Sequence, residues 1–287
     1  MIRPTSSALF SSTKATGSTS STKDDGAVQV PLYRAEGLFS VIKPLDWTSS
    51  DVVSFVRKML ERDARERGAK PVRVGSRRNK SRIIKVGHGG TLDPLATGVL
   101  VVGVGKGTKE LQSYLTGSKR YLATGEFGFE TNTLDMDPIA NITQRAPFEH
   151  ITLEDLEQNT LPKFVGDIQQ VPPIFSAIRR NGKRLYEQAR QGVSQEDLKI
   201  EPRQVTVHSL KLLHMDGPNF SIDMECGGGT YVRSLIRDIA YDLDSVATMT
   251  SLERTKQGQF TQDTALPRDE WSPDNIYDAI SKFNAQR

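Results

Sequence analysis

Asp93 closes the run Gly87-His88-Gly89-Gly90-Thr91-Leu92-Asp93-Pro94, and its setting invites a reading as chemistry. Pro94 pushes the residue before it out of the helical region and into an extended loop conformation. The three glycines upstream let a backbone or a ligand come close. A carboxylate presented this way acts as nucleophile or general base, or it only forms a turn, for which Asp-Pro is a common dipeptide. A second glycine-rich stretch, Gly103-Val104-Gly105-Lys106-Gly107-Thr108, invites a phosphate-binding reading but fails on spacing. A P-loop needs G-x-x-x-x-G-K-[ST], and a dinucleotide loop needs glycine where Thr108 stands. It reads as a strand end and a turn. His88, His150, His208 and His214 show no zinc spacing, and the single Cys226 forms no intrachain disulfide.

The elements that must hold Asp93 are mixed. Leu38 to Ile42 reads as a buried strand stopped by Lys43-Pro44. Ser49 or Ser50 then caps a helix with Val52, Val53, Val56, Met59 and Leu60 at helical spacing. Ile83-Ile84-Lys85-Val86 reads as a short strand delivering the glycine loop. Gly98 to Val104 is a continuous apolar run, the mark of a strand buried on both faces. A short helix near Lys109 to Leu115 and a strand through Tyr121 to Thr124 follow. Thr152 to Asp155 opens a helix, and Lys183 to Arg190 forms another, ended by Gly192. Arg203 to Met215 and Phe220 to Cys226 are strands joined by Asp216-Gly217-Pro218-Asn219. Beyond Gly227-Gly228-Gly229, the residues Val232, Leu235, Ile236, Ile239, Ala240 and Leu243 line one face of a helix, which leaves Arg233 on the solvated side. Strands and helices without regular alternation give an α/β (α+β) fold with a mixed sheet.

Charge is concentrated. The 287 residues carry 38 Lys and Arg against 35 Asp and Glu, a net +3. From Arg57 to Lys85 there are twelve basic and three acidic residues, so this segment is +9 and the remainder −6. Lys70 to Lys85 holds seven positive charges and no acid, which marks a self-repelling loop unless a polyanion orders it. Arg73, Arg77, Arg78, Lys80 and Arg82 are the candidate contacts to an RNA backbone; a nuclear address or a plain solvated loop is the alternative. With mean hydropathy −0.45 and no run of about 18 apolar residues, a membrane protein is excluded. Residues 1–22 hold twelve Ser and Thr, and the first acid is Asp24, so residues 1–30 read as a disordered tail or a transit peptide. Nucleus, mitochondrion and cytoplasm stay open.

Four ordered motifs add to this reading: Lys43-Pro44 with Thr48-Ser49; Gly87-His88-Gly89-Gly90-Thr91-Leu92-Asp93-Pro94-Leu95-Ala96-Thr97-Gly98; Lys119-Arg120-Tyr121; and Gly229-Thr230-Tyr231-Val232-Arg233-Ser234-Leu235. Pro172 to Ala177 and Gly182 to Tyr186 are lesser matches. Together they resemble the TruB/Pus4 family of RNA pseudouridine synthases, the enzymes of tRNA pseudouridine-55, from about Gly37 to Phe260. The resemblance implies that family's catalytic fold, a mixed and mainly antiparallel sheet flanked by helices. It implies Asp93 as the catalytic aspartate, Arg233 as its partner and Tyr121 as the aromatic that packs on the target base. His88 matches a histidine that helps hold the T-loop, and Lys43, Tyr231 and Leu252 lie in motifs that line or support the site. Leu252-Glu253-Arg254 departs from the Leu-Arg-Arg usual in bacterial members, which puts one backbone contact in question.

Breaking the N1–C1′ bond, turning the base and rejoining through C5 is redox-neutral, so no cofactor or metal is expected. One carboxylate suffices, and an arginine beside it, always charged, favours its ionised form. The expected partner is the T-arm of tRNA, with mRNA as a further substrate left open. No membrane and no obligate protein partner is expected, and the chain reads as a monomer. Residues 37–260 read as the catalytic domain and 261–287 as an extension carrying one helix, with no room for the PUA domain of bacterial members. The basic insertion, about residues 68–82, is like that of the eukaryotic branch and is expected to take over part of the backbone grip.

Overall fold

The computed structural model describes residues 35–69, 72–73, 81–82, 84–180 and 182–287. The Ser/Thr-rich tail, Arg77, Arg78 and Lys80 lie outside the described residues, and Arg73 and Arg82 are described only as backbone. There, Val72–Arg73 pairs with Ser81–Arg82, so the basic segment is closed at its base by a short antiparallel ladder rather than being loop throughout.

Nine strands form one sheet: β1 (Gly37–Lys43), β2 (Val86–His88), β3 (Ala96–Val104), β4 (Lys119–Phe127), β5 (Gly166–Gln170), β6 (Arg203–Asp216), β7 (Asn219–Cys226), β8 (Ala247–Gln257) and β9 (Phe260–Thr261). The main order is β1-β3-β8-β4-β7-β6-β5, with β2 added to β3 and β9 to β8. All these pairings are antiparallel except β8 with β3, where Leu252, Glu253 and Arg254 face Ala96, Thr97 and Gly98. The glycine loop starts later than its sequence pattern predicts: the strand is Val86–His88, which pairs with Val104, Gly103 and Val102, Ile84 and Lys85 lie ahead of it, and Ile83 is outside the described residues. His88 therefore sits on a strand rather than in a loop.

β3 is buried on both faces, as its apolar run demands. Leu100, Val102 and Val104 pack under helix α1 (Ser49–Glu66), while Val99 and Val101 pack with Leu111, Tyr114, Phe260 and Phe283. Thr48, not Ser49 or Ser50, caps α1: its hydroxyl accepts from Asp51 N at 3.0 Å and Asp51 Oδ2 accepts from Thr48 N at 3.0 Å. Only Thr48 has an acid three residues on, so only it closes this reciprocal box. After the short helix α2 (Leu111–Thr116), helix α3 (Val232–Asp242) covers the other half of the sheet, burying Leu235, Ile236 and Ile239 against Phe127, Phe220 and Ile222. Helix α4 (Pro273–Ala285) is no appendage, since Ile276, Tyr277 and Ile280 share a core with Phe39, Val41 and α1. Among the described residues no helix is long and apolar enough to cross a membrane.

Gly98 shows why the one parallel junction is possible. At φ +101° it takes a conformation that side chains rarely adopt, and a Cβ there would lie 2.2 Å from Arg254 O. Only glycine lets β8 come this close.

Candidate active site

β2 and β8 share one edge of β3 end to end, and the loop carrying Asp93 leaves through the gap between them. In that gap Val99 and Val101 have no strand partner on this side. Side chains supply the missing bonds: Arg254 Nε donates to Val99 O at 2.7 Å, and Gln257 Oε1 accepts from Val101 N at 3.0 Å. Arg254 also donates to Gly90 O at 3.3 Å and Gln257 to Gly89 O at 2.8 Å. Buried backbone groups need such partners, so both side chains are fully buried for a structural reason. The glycine run serves backbone packing here, for a Cβ on Gly89 would sit 2.7 Å from Tyr114 Cβ.

The backbone on either side of Asp93 is clamped. Ser49, spared from capping, accepts from Leu92 N at 2.8 Å and donates to Leu92 O at 3.3 Å. Pro94 O accepts from Asp46 N at 2.9 Å and from Lys43 Nζ at 3.1 Å. Lys43 Nζ donates as well to Trp47 O at 2.6 Å and Pro44 O at 2.7 Å. With no exposed surface, Lys43 does not line the site and supports it from beneath. Leu252 packs in the core with Leu92 and Tyr121.

Arg233 contradicts its helical-wheel reading. Only 4% exposed, it points into the protein, where Nη2 pairs with Asp93 Oδ2 at 2.9 Å. Nη2 also donates to Phe175 O at 2.9 Å, Nη1 to Thr133 O at 2.7 Å, and Nε faces Asp135 Oδ2 at 3.6 Å. A planar fork with five hydrogens serves four acceptors in a way lysine cannot. Burial opposes its charge, but Asp93 and Asp135 outweigh burial and its pKa is raised. Burial, partly offset by Arg233, raises the Asp135 carboxyl. Helix α3 is fixed just ahead of Arg233 by Gln170, whose side-chain amide accepts from Tyr231 N at 2.8 Å and donates to Tyr231 O at 3.1 Å.

Tyr121 lies opposite Arg254 across the β4–β8 pairing and is 8% exposed. Burial raises its phenol, the Arg254 guanidinium at its hydroxyl opposes the shift, and the charge of Asp93 also reaches it. The raised pKa keeps Tyr121 a neutral phenol. Tyr231 feels Asp93 and Arg233 in the same pocket, and burial raises it too. His88 Nδ1 accepts from Gly90 N at 3.4 Å, and burial, with Arg254 adding, lowers its pKa. Asp93, Arg233, Tyr121 and Tyr231 are gathered at one site, with Lys43 and Leu252 behind them.

The profile "TruB family pseudouridylate synthase (N terminal domain)" matches residues 78–232, a span that contains Asp93, Tyr121 and Tyr231 and ends one residue before Arg233. Pseudouridylate synthase TRUB1 of Mus musculus is 44% identical over 257 residues, covering 89% of this chain and 73% of that protein. This chain belongs to the TruB family. Its members isomerise uridine to pseudouridine in RNA. The human TRUB1 protein is 43% identical over 88% of this chain and 70% of its own length. A tRNA pseudouridine synthase B of Parabacteroides distasonis is 40% identical over 84% of this chain and 91% of its own. Among solved structures, the TruB-type fold aligns with a Cbf5-Nop10-Gar1 complex at TM-score 0.58 and 25% identity, covering 86% of this chain and 57% of that one. An H/ACA RNP bound to a substrate RNA containing 2'-deoxyuridine aligns at TM-score 0.56 and 23% identity, with 86% and 55% covered. This chain thus spans little more than half the length of those structural neighbours.

Lys43 gives the site a pH signature. Burial pushes its ammonium down to about 8, with Asp93 working against the shift. Above that pH the neutral amine has two hydrogens for three carbonyls, and the hold on Pro94 weakens. We expect kcat to fall as pH rises through about 8. The contribution of Lys43 to stability moves the other way, rising between about 8 and its ordinary value of 10.5, because there the unfolded chain keeps a proton that the folded chain has lost. A kcat that stays flat to the ordinary lysine range, or an alkaline limb that survives in Lys43→Gln, would refute the assignment.

Proposed function

We propose that this chain is a tRNA pseudouridine synthase that converts the T-loop uridine at position 55, with Asp93 as its catalytic carboxylate. The observation that carries the proposal is the 2.9 Å pair between Arg233 and the partly exposed Asp93, whose charge also reaches the buried phenols of Tyr121 and Tyr231. The relatives named as tRNA pseudouridine synthase B favour tRNA as the substrate class.

A uridine inside a folded loop must leave its stack before its glycosidic bond is reached. Tyr121 offers a ring to the extruded base, and such stacking is worth roughly 1–3 kcal/mol per base. Asp93 then attacks C1′, releasing the base with the N1–C1′ bonding pair, or removes a sugar proton so that the base leaves by elimination. The base turns, a C5–C1′ bond forms as the Asp93–C1′ bond breaks or, on the elimination route, as the sugar takes back its proton from Asp93; C5 then loses its proton and N1 gains one. Atoms and electrons balance without any co-reactant. Water must be kept out so that the detached base is recaptured; glycoside hydrolases instead admit water between two carboxylates. The basic segment that contains Arg73 and Arg82 adds non-specific grip on phosphates in this proposal.

The test is incubation of the full chain with unmodified tRNA, free of guide RNA and other proteins, followed by chemical mapping of pseudouridine. Product at position 55 is expected, and messenger RNAs presenting the same loop form a second arm. Activity only with a guide RNA would place the chain with the H/ACA-type proteins of its structural neighbours. In the same assay, removal of residues 73–82 is expected to weaken affinity and flatten its salt dependence.

A further inference from the structure

Three aromatic rings, those of Trp47, Phe55 and Trp271, meet in one cluster. Trp47 lies edge-on to Phe55 at 5.7 Å and to Trp271 at 6.0 Å, and Phe55 is 5.9 Å from Trp271. The guanidinium of the exposed Arg268 sits over all three, 4.3 Å from the Phe55 centroid, 4.8 Å from Trp271 and 5.3 Å from Trp47. A cation over several ring faces is held by their combined quadrupoles.

The two sides of this cage have different anchors. Trp271 Nε1 donates to Leu266 O at 3.0 Å, and Leu266 is tied to β1 through Ser40 O at 3.0 Å and Ile42 N at 2.9 Å. That side is fixed to the sheet. Trp47, on the other side, belongs to the turn 44–48, in which Asp46 sits at φ 63°, an unfavourable conformation for a residue with a side chain. Asp46 of this turn shares the clamps on Leu92 and Pro94 with the residues on either side of it, Lys43 at the end of β1 and Ser49 at the start of α1, and Lys43 also holds the carbonyl of Trp47. A strained turn keeps its geometry only where its surroundings over-determine it.

We propose that Arg268, with Phe55 and Trp271, is a positioning clasp that holds Trp47 and, through the 43–49 turn, sets the placement of Asp93. The inference rests on the reading of Asp93 as the catalytic carboxylate. Arg268 and Trp271 come from the C-terminal segment and Phe55 from α1, all outside the span matched by the family profile.

Trp47 and Trp271 are the two tryptophans of the chain, so intrinsic fluorescence reports on the clasp directly. In the full-length protein, Arg268→Ala is expected to alter tryptophan emission and to lower kcat about tenfold, since small misplacements of a reacting group are costly. KM for unmodified tRNA stays within about twofold, because the reacting group and not the RNA grip is displaced. Arg268→Lys, which keeps a cation, recovers most of both signals. Unchanged kcat, a loss confined to KM, emission indifferent to Arg268, or no recovery with lysine would overturn the clasp. Product formed by Asp93→Asn would instead sink the reading of the site. An inactive Asp93→Asn beside a fully active Arg268→Ala sinks only the clasp.

Discussion

Asp93→Asn is expected to remove product formation by about four orders of magnitude or more, the scale seen when a covalent or proton-transfer group is deleted. The amide has the carboxylate's shape and still accepts from Arg233 Nη2, now 2.9 Å from Oδ2. Leu92 and Pro94 keep their clamps, which involve backbone atoms and not the Asp93 side chain. The fold and the RNA surface should therefore survive, with tRNA affinity within a few-fold of the parent. What is lost is the oxygen that bonds to C1′ or takes the sugar proton. Pseudouridine mapping after a single turnover, paired with filter binding, measures both quantities. Activity within tenfold of the parent would show that another group does the chemistry.

Arg233→Met should be the most damaging change elsewhere in the pocket. It strands Asp93 and the buried Asp135 without their shared cation and leaves Thr133 O and Phe175 O without their donor. Removing one partner from a buried ion pair costs about 3–5 kcal/mol. A fall in kcat of about 10²–10³-fold should accompany it, the scale of losing one preorganised electrostatic donor. Arg233→Lys should recover little of either, because a single ammonium cannot reach four acceptors in one plane. Thermal unfolding and single-turnover rates on the two variants decide the matter. A lysine variant as stable and active as the parent would mean that only the charge counts.

The sequence pattern located the strands and helices well where burial is one-sided or complete. The run Gly98 to Val104 read correctly because both of its faces are covered, and the face from Val232 to Ala240 because α3 lies on the sheet. It misread Arg233, since a helical wheel shows where an apolar stripe lies and not that the opposite face meets Thr133, Asp135 and Phe175. Asp135 escaped notice altogether. It follows Leu134, a buried residue at φ 62°, in a threonine-rich turn whose purpose appears only when the chain closes around Arg233. Lys43 was recognisable as a motif residue, but motif membership does not show that its ammonium is spent on the carbonyls of Pro44, Trp47 and Pro94. Arg254 lay in the motif that departs from the bacterial pattern, and it makes a backbone contact nonetheless, to Val99 and Gly90.

The place of β8 between β3 and β4 has a consequence for biogenesis. β3 and β4 are made early and separated by a 3-10 turn and one short α-helix, yet they do not pair; the strand that joins them is made more than a hundred residues later. A nascent chain still on the ribosome at residue 246 already contains Asp93, Tyr121 and Arg233, but its sheet is slit along the middle, with two rows of backbone amides and carbonyls lacking partners. Such a chain should engage chaperones rather than RNA. The sheet is complete only once the last long strand is made, which sets Arg254 opposite Tyr121.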